Sequence, residues 1–406
     1  LVKAASRDKR PALVAALIVT FVTRMPGYYF NWGRYTLLMG AFFLPLAMAE
    51  IIQVQKVHPA RPQLITLVLL TVGTLLSHYV TAFLLALFFL IVGLQWVWQN
   101  LREKHWEWSK ISPLVVSALV GLALAAPWYY RAVKYSGRVE NMARIIASPL
   151  ESLANGQNWQ YLLQLIGPTS GFVVLGLALI GMVLSRKWKN WRSLGVWFLA
   201  VLLFALPHGN QIAGFRSDYY ALVLFLPVSA FSAGFLVWLL RQIKLRFPHQ
   251  KILLTAQTAL VGLLIFWGAY LNYNPLNPDL TLANQADLTA LQWIEDHVPR
   301  EARFFINTAM WGNGTSRGVD GGAWIFPYTG RWTIVPTIYY PFGKDLAYTA
   351  EVKEIGVRAA GMVYCDENFK KLLTEQNLDY IYIHDGLGSM QRASLENCAG
   401  IRKIYD

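Results

Sequence analysis

Arg34, His78, Arg131, Arg216 and Asp218 are ionisable residues set beside aromatics: Tyr28 and Trp32, Tyr79, Tyr129, and Tyr219 with Tyr220. A guanidinium presents a planar fork of donors that matches phosphate or pyrophosphate oxygens. Flanking rings suit the apolar face of a sugar. Asp218 adds a carboxylate that either pairs with Arg216 or serves as a base toward an acceptor hydroxyl. The plainer reading is that Trp and Tyr belts and interfacial arginines anchor any membrane protein. Glu50 is a further lone acid within an apolar run, where a proton relay and a simple reach to the interface compete.

No other chemistry announces itself. The sequence has no phosphate-cradling glycine loop, no Gly-rich fingerprint between a strand and a helix, and no His/Cys set at zinc spacing. An ATP-driven pump or a cytosolic-type kinase is not expected from this chain alone. No resident cofactor is read from the sequence, and a divalent metal is left as an open alternative.

The elements that must position these residues are apolar helices. Fifty-five per cent of the residues are hydrophobic and 15% charged, and the mean hydropathy is +0.36, which describes a polytopic membrane protein. The formal charge of +13 is therefore an orientation signal and a contact with anionic lipid, not a sign of nucleic acid.

The pivotal stretch is Leu70 to Phe83. From Gln63 to Trp98 the chain is apolar for roughly twice the ~20 residues that one crossing needs. If the chain folds back at Ser77-His78-Tyr79, the short loops dense in Lys and Arg, such as Arg186 to Arg192 and Arg241 to Arg246, all fall on the inner side. His78 then lies at the outer surface. On this reading about nine helices cross: Pro11 to Thr23, Tyr35 to Val54, the two arms of the hairpin, Ile111 to Trp128, Thr169 to Leu184, Leu194 to Leu206, Tyr220 to Leu240 and Ile252 to Leu271. The segment Ala132 to Pro168 is expected to be an outer, partly helical stretch.

Composition changes at Asn274-Pro-Leu-Asn-Pro278. Residues 1–275 read as a transmembrane helical domain and 276–406 as a small extracytoplasmic α/β domain. Asn284 caps a predicted helix running to His297. Arg303 to Asn307 and Trp332 to Val335 read as strands, Glu367 to Gln376 as a helix, and Asp379 to Ile383 as a strand buried on both faces. Cys365 and Cys398 are the only cysteines, and spacing leaves a disulfide and two free thiols equally open. The chain begins Leu-Val-Lys, from which upstream sequence is expected.

Four stretches together resemble the GT-C-type integral-membrane glycosyltransferases: Asn31-Trp-Gly-Arg-Tyr35, Ser77-His78-Tyr79 opening a helix, Phe215-Arg-Ser-Asp-Tyr-Tyr-Ala-Leu-Val-Leu-Phe-Leu-Pro227, and Ala290-Leu-Gln-Trp-Ile-Glu-Asp-His-Val-Pro299. The likeness covers most of the chain in layout. It implies a polyprenyl-phosphate-linked sugar as donor, transfer on the outer face of the plasma membrane, Arg216 against the lipid phosphate, and a soluble tail covering the site. Arg34, His78 and Arg131 would line the same mouth. The Trp-Trp-Asp element of oligosaccharyltransferases is absent, with Met310-Trp-Gly-Asn-Gly314 near its place, so protein N-glycosylation is not expected. The family's catalytic carboxylate in the first outer loop is not found, and is expected upstream of Leu1. The rivals are a lipid-linked glycan flippase or other secondary transporter, with ionisable pairs at mid-membrane, and a non-catalytic envelope assembly protein.

Overall fold

The computed structural model describes residues 1–55, 59–135, 156–167, 171–188, 191–206, 217–246, 250–271, 283–311, 315–343 and 345–406. The chain divides into two compact units. One comprises Leu1–Tyr129 and Arg144–Asn277, the other Tyr130–Ala143 and Pro278–Asp406.

The first unit is helical: α1 (Val2–Ser6), α2 (Lys9–Leu17), α3 (Tyr35–Val54), α4 (Arg61–Ser77), α5 (Tyr79–Glu103), α6 (Trp108–Tyr135, whose end joins the second unit), α7 (Gly156–Ile166), α8 (Gly171–Leu184), α9 (Trp191–Ala205), α10 (Ser217–Ala221), α11 (Phe225–Arg246) and α12 (Gln250–Leu271). Among the described residues five helices are long and apolar enough to cross a membrane, and six if α7 and α8 count as one bent span. The expectation of about nine is thus met only in part. Helix α4 and helix α9 are apolar but fall short, at 17 and 15 residues, and α4 is ended by the polar corner at Ser77-His78.

The amino-terminal span also differs from its expected bounds. Helix α2 continues through a π-helical turn over Ile18–Val22, and a 3₁₀ turn follows over Gly27–Trp32. The candidate span therefore runs Lys9–Asn31, which places Arg24 within it instead of at its end. The Arg24 guanidinium lies 3.6 Å from the ring centroid of Tyr28.

The core of this unit is packed by close approaches at small residues, as expected where lipid supplies no hydrophobic drive. A Cβ on Gly40 of α3 would sit 2.2 Å from Thr81 Oγ1 of α5, and one on Gly181 of α8 would sit 1.9 Å from the Phe231 carbonyl oxygen of α11. The buried rings of Phe88, Trp197, Phe198 and Phe231 fill the space between α5, α9 and α11.

The second unit is a small α/β fold. Its parallel sheet has the order β4 (Trp332–Thr333), β1 (Arg303–Ile306), β5 (Tyr380–Tyr382), beside a hairpin of β2 (Thr308–Trp311) and β3 (Thr315–Gly318). Helix α13 (Gln285–His297) starts at Asn284, whose side chain accepts from Ala286 and Asp287 N–H, while the Asp287 carboxylate accepts from Asn284 N–H in a reciprocal capping box. Helices α14 (Ile325–Thr329), α15 (Leu346–Ala360), α16 (Glu367–Glu375) and α17 (Arg392–Leu395) complete it. Strand β5 is half-buried, not buried on both faces, because it is an edge of the sheet. The buried Arg331 donates to the carbonyls of Glu295 and Val298 at the end of α13, at 2.9 and 2.7 Å, satisfying acceptors that a helix end leaves open. A disulfide joins Cys365 to Cys398, with Cα atoms 5.7 Å apart.

Candidate functional site

The polar corner at His78 is built by local chemistry. Its backbone is extended (φ −158°, ψ 135°), ending α4, and its Nδ1 accepts the Val80 N–H at 3.2 Å, capping α5. The Thr81 hydroxyl donates to the His78 carbonyl at 2.8 Å. Because Nδ1 accepts a hydrogen bond, the neutral ring keeps its proton on Nε2. The imidazole stacks on Tyr79 with centroids 4.2 Å apart.

From Tyr79 the ring contacts lead to a second segment. Tyr79 and Tyr219 have centroids 6.3 Å apart, and the Arg34 guanidinium carbon lies 4.9 Å from the Tyr219 centroid. Three stretches far apart in sequence thus meet: Arg34 at the start of α3, His78-Tyr79 between α4 and α5, and Asp218-Tyr219 in α10. Arg34, His78, Asp218 and Tyr219 are all half-buried and Tyr79 is exposed.

Two features place α10 there. The expected crossing from Tyr220 is interrupted: α10 ends at Ala221, tight turns follow, and α11 begins at Phe225 with Pro227 in its first turn, where a missing N–H costs nothing. The fully buried Tyr29 then donates its hydroxyl to the Leu222 carbonyl at 2.6 Å, tying the turn to the segment that carries Arg34. Beneath the cluster Tyr220 packs on Phe83 and Phe204.

The other expected residues fare differently. Arg216 lies outside the described residues. Arg131, in the last turns of α6, is exposed and belongs to the second unit. Glu50 has a neighbour that the sequence reading overlooked, since Gln53 donates to its carboxylate at 3.3 Å from the next turn. Among the described residues no three His, Cys, Asp or Glu side chains are grouped to hold a metal ion.

A second polar centre, in the carboxyl-terminal unit, escaped sequence reading. Asp287 Oδ1 accepts from the Tyr382 hydroxyl and from His384 Nδ1, the latter at 2.8 Å. The neighbouring Asp320 accepts from Gly322 N–H at 2.9 Å. Burial, helped by the Asp287 charge, pushes the Asp320 carboxyl up to about 6. The available signal was faint: an acidic residue three positions after a cap, and a histidine just past an apolar strand. Comparison of the sequence with protein-family models and with curated proteins finds no match to either.

Proposed function

We propose that this protein is a membrane glycosyltransferase of GT-C-like layout, moving a sugar from a polyprenyl-phosphate-linked donor to an acceptor at the outer face. The observation that supports the reading is the run Arg34, Tyr219, Tyr79, His78, drawn from three segments, with Asp218 at its edge. Such a run offers a phosphate-matching guanidinium, ring faces for a sugar or an isoprenoid chain, and an imidazole N–H. Arg216, two residues before Asp218, is assigned the lipid phosphate. Asp218 is assigned the acceptor hydroxyl.

On this reading the membrane is crossed about nine times, with short apolar helices such as α4 and α9 serving as crossings and basic loops inside. The Cys365–Cys398 disulfide supports an exterior tail, since such bonds persist in oxidising compartments.

The test is binding and turnover of a polyprenyl-phosphate-linked sugar by the purified full chain in lipid nanodiscs. A sheltered charge-assisted contact contributes about 1.5–3 kcal/mol. Arg34→Ala and Arg216→Ala are thus each expected to weaken donor binding about 10- to 100-fold, while Asp218→Asn lowers turnover and spares binding. Unchanged donor binding in both arginine variants sinks the assignment. Ion-coupled uptake of a lipid-linked glycan, with no transfer, would replace it by a transporter.

A further inference from the structure

The carboxyl-terminal unit holds a cavity of about 780 Å³, bounded by α13, by the face of β1 and β5, and by the chain's last residues. The volume is in the range of small-ligand sites. Its walls combine three kinds of group. Trp293, Tyr380 and Tyr405 contribute rings, with Trp293 and Tyr405 centroids 5.0 Å apart. His384 and Arg402 contribute polar atoms. Behind them stands Asp287, with a side chain only 2% exposed.

Asp287 sets the character of His384. An ionised carboxylate only accepts, so the 2.8 Å contact places the imidazole proton on Nδ1. Nε2 is then left as an acceptor on a ring whose side chain is 25% exposed. The Tyr382 hydroxyl on the same carboxylate oxygen and the Asn284 N–H on the other hold Asp287 in place. The ring therefore has one tautomer and little freedom to turn.

The rim charges are largely spent on one another. Arg392 pairs with Glu396 at 3.2 Å and with Asp406 at 3.4 Å, and Lys403 pairs with Asp406 at 2.6 Å. A neutral ring bearing hydroxyls can be held without disturbing these pairs: its C–H face lies on an aromatic side chain, while its hydroxyls donate to His384 Nε2 and accept from Arg402.

We infer that the pocket of the carboxyl-terminal unit is a binding site for a neutral saccharide, with His384, oriented by Asp287, as the acceptor of a sugar hydroxyl. The site lies wholly within this unit and stands apart from the transfer reading above.

The experiment is ligand-observed saturation-transfer NMR, with calorimetric titration, on the full chain in a detergent that carries no sugar. The probes are methyl glucoside, methyl galactoside, methyl mannoside and N-acetylglucosamine, with glucuronate as a charged counterpart. At least one neutral probe is expected to bind. His384→Gln and Tyr405→Ala should each raise its Kd tenfold or more, and Gly176→Ala, in the first unit, should leave it unchanged. Because Tyr405 is on the exposed wall, its variant decides the matter if His384→Gln does not fold. The inference is overturned if no neutral probe receives saturation, if a charged counterpart binds more tightly, or if Tyr405→Ala binds as the parent does.

Discussion

The guanidinium of Arg34 faces the ring of Tyr219 at 4.9 Å, joining two segments that lie far apart in the chain. A half-buried cation over an aromatic face contributes about 0.5–2 kcal/mol. A double-mutant cycle of Arg34→Ala and Tyr219→Leu, followed by thermal unfolding in lipid, is expected to give a coupling in that range. Strict additivity of the two losses would deny the contact. Arg34→Lys should recover part of the coupling, because the ammonium keeps the charge but lacks the planar fork.

The cap at His78 yields a prediction that separates support from recognition. His78→Ala removes the acceptor for Val80 N–H and should cost about 0.5–2 kcal/mol, whereas His78→Asn supplies a side-chain oxygen in its place and should restore most of that stability. If donor binding stays low in a stable His78→Asn protein, the imidazole N–H is needed beyond its role in the helix. Equal melting of all three proteins would show that the cap contributes nothing.

Gly181 and Gly176 lie on the same helix in opposite settings. A Cβ at Gly181 would press to 1.9 Å from a backbone oxygen of α11, whereas one at Gly176 meets nothing within 4 Å. Gly181→Ala must force α8 and α11 apart, at a cost of about 1–3 kcal/mol or more. Gly176→Ala should gain about 0.5–1 kcal/mol in helix stability. Melting temperatures that move in the same direction for both would contradict the packing.

Asp320 makes the second unit respond to pH. Its carboxyl is raised from 3.8 to about 6 in the folded unit by burial and by Asp287. Between those values the folded form holds a proton that the unfolded form has lost, so stability falls as pH rises through the window and levels off above it. The slope for one proton is at most about 1.4 kcal/mol per pH unit. Asp320→Asn keeps an acceptor for Gly322 N–H and should flatten that limb. Hydrogen exchange of β1 and β5 amides from pH 4 to 7 reads this, and an identical slope in the variant would refute it.

Local signals were the ones that could be read from the sequence. The polar corner at His78, the cap at Asn284 and the helix from Glu367 follow from hydrophobic period and cap chemistry, and the structure has an element at each. Elements set by tertiary contact were not legible. Helix α15 carries Gly356 in its interior because a Cβ there would lie 2.2 Å from Ser316 on β3, so its propensity is weak where its packing is tight. The late start of α11 depends on Tyr29, 193 positions from Leu222. The pairing of Asp287 with His384 spans 97 positions, and no short window holds both. At the expected mouth, spacing picked out residue types, but only the ring contacts show that Arg34, His78 and Tyr219 meet while Arg131 stands exposed.

The bond between Cys365 and Cys398 shuts a ring that contains α16, β5 and His384, and the chain leaves that ring directly into residues 399–406, among them the far wall of the saccharide pocket. That wall hangs from a covalent hinge. A thiol reductant used in routine handling would cut that hinge and leave the wall held by the contact of Tyr405 with Trp293 and the pairing of Asp406 with Arg392, so a preparation whose first unit melts as before is expected to grip sugar less firmly.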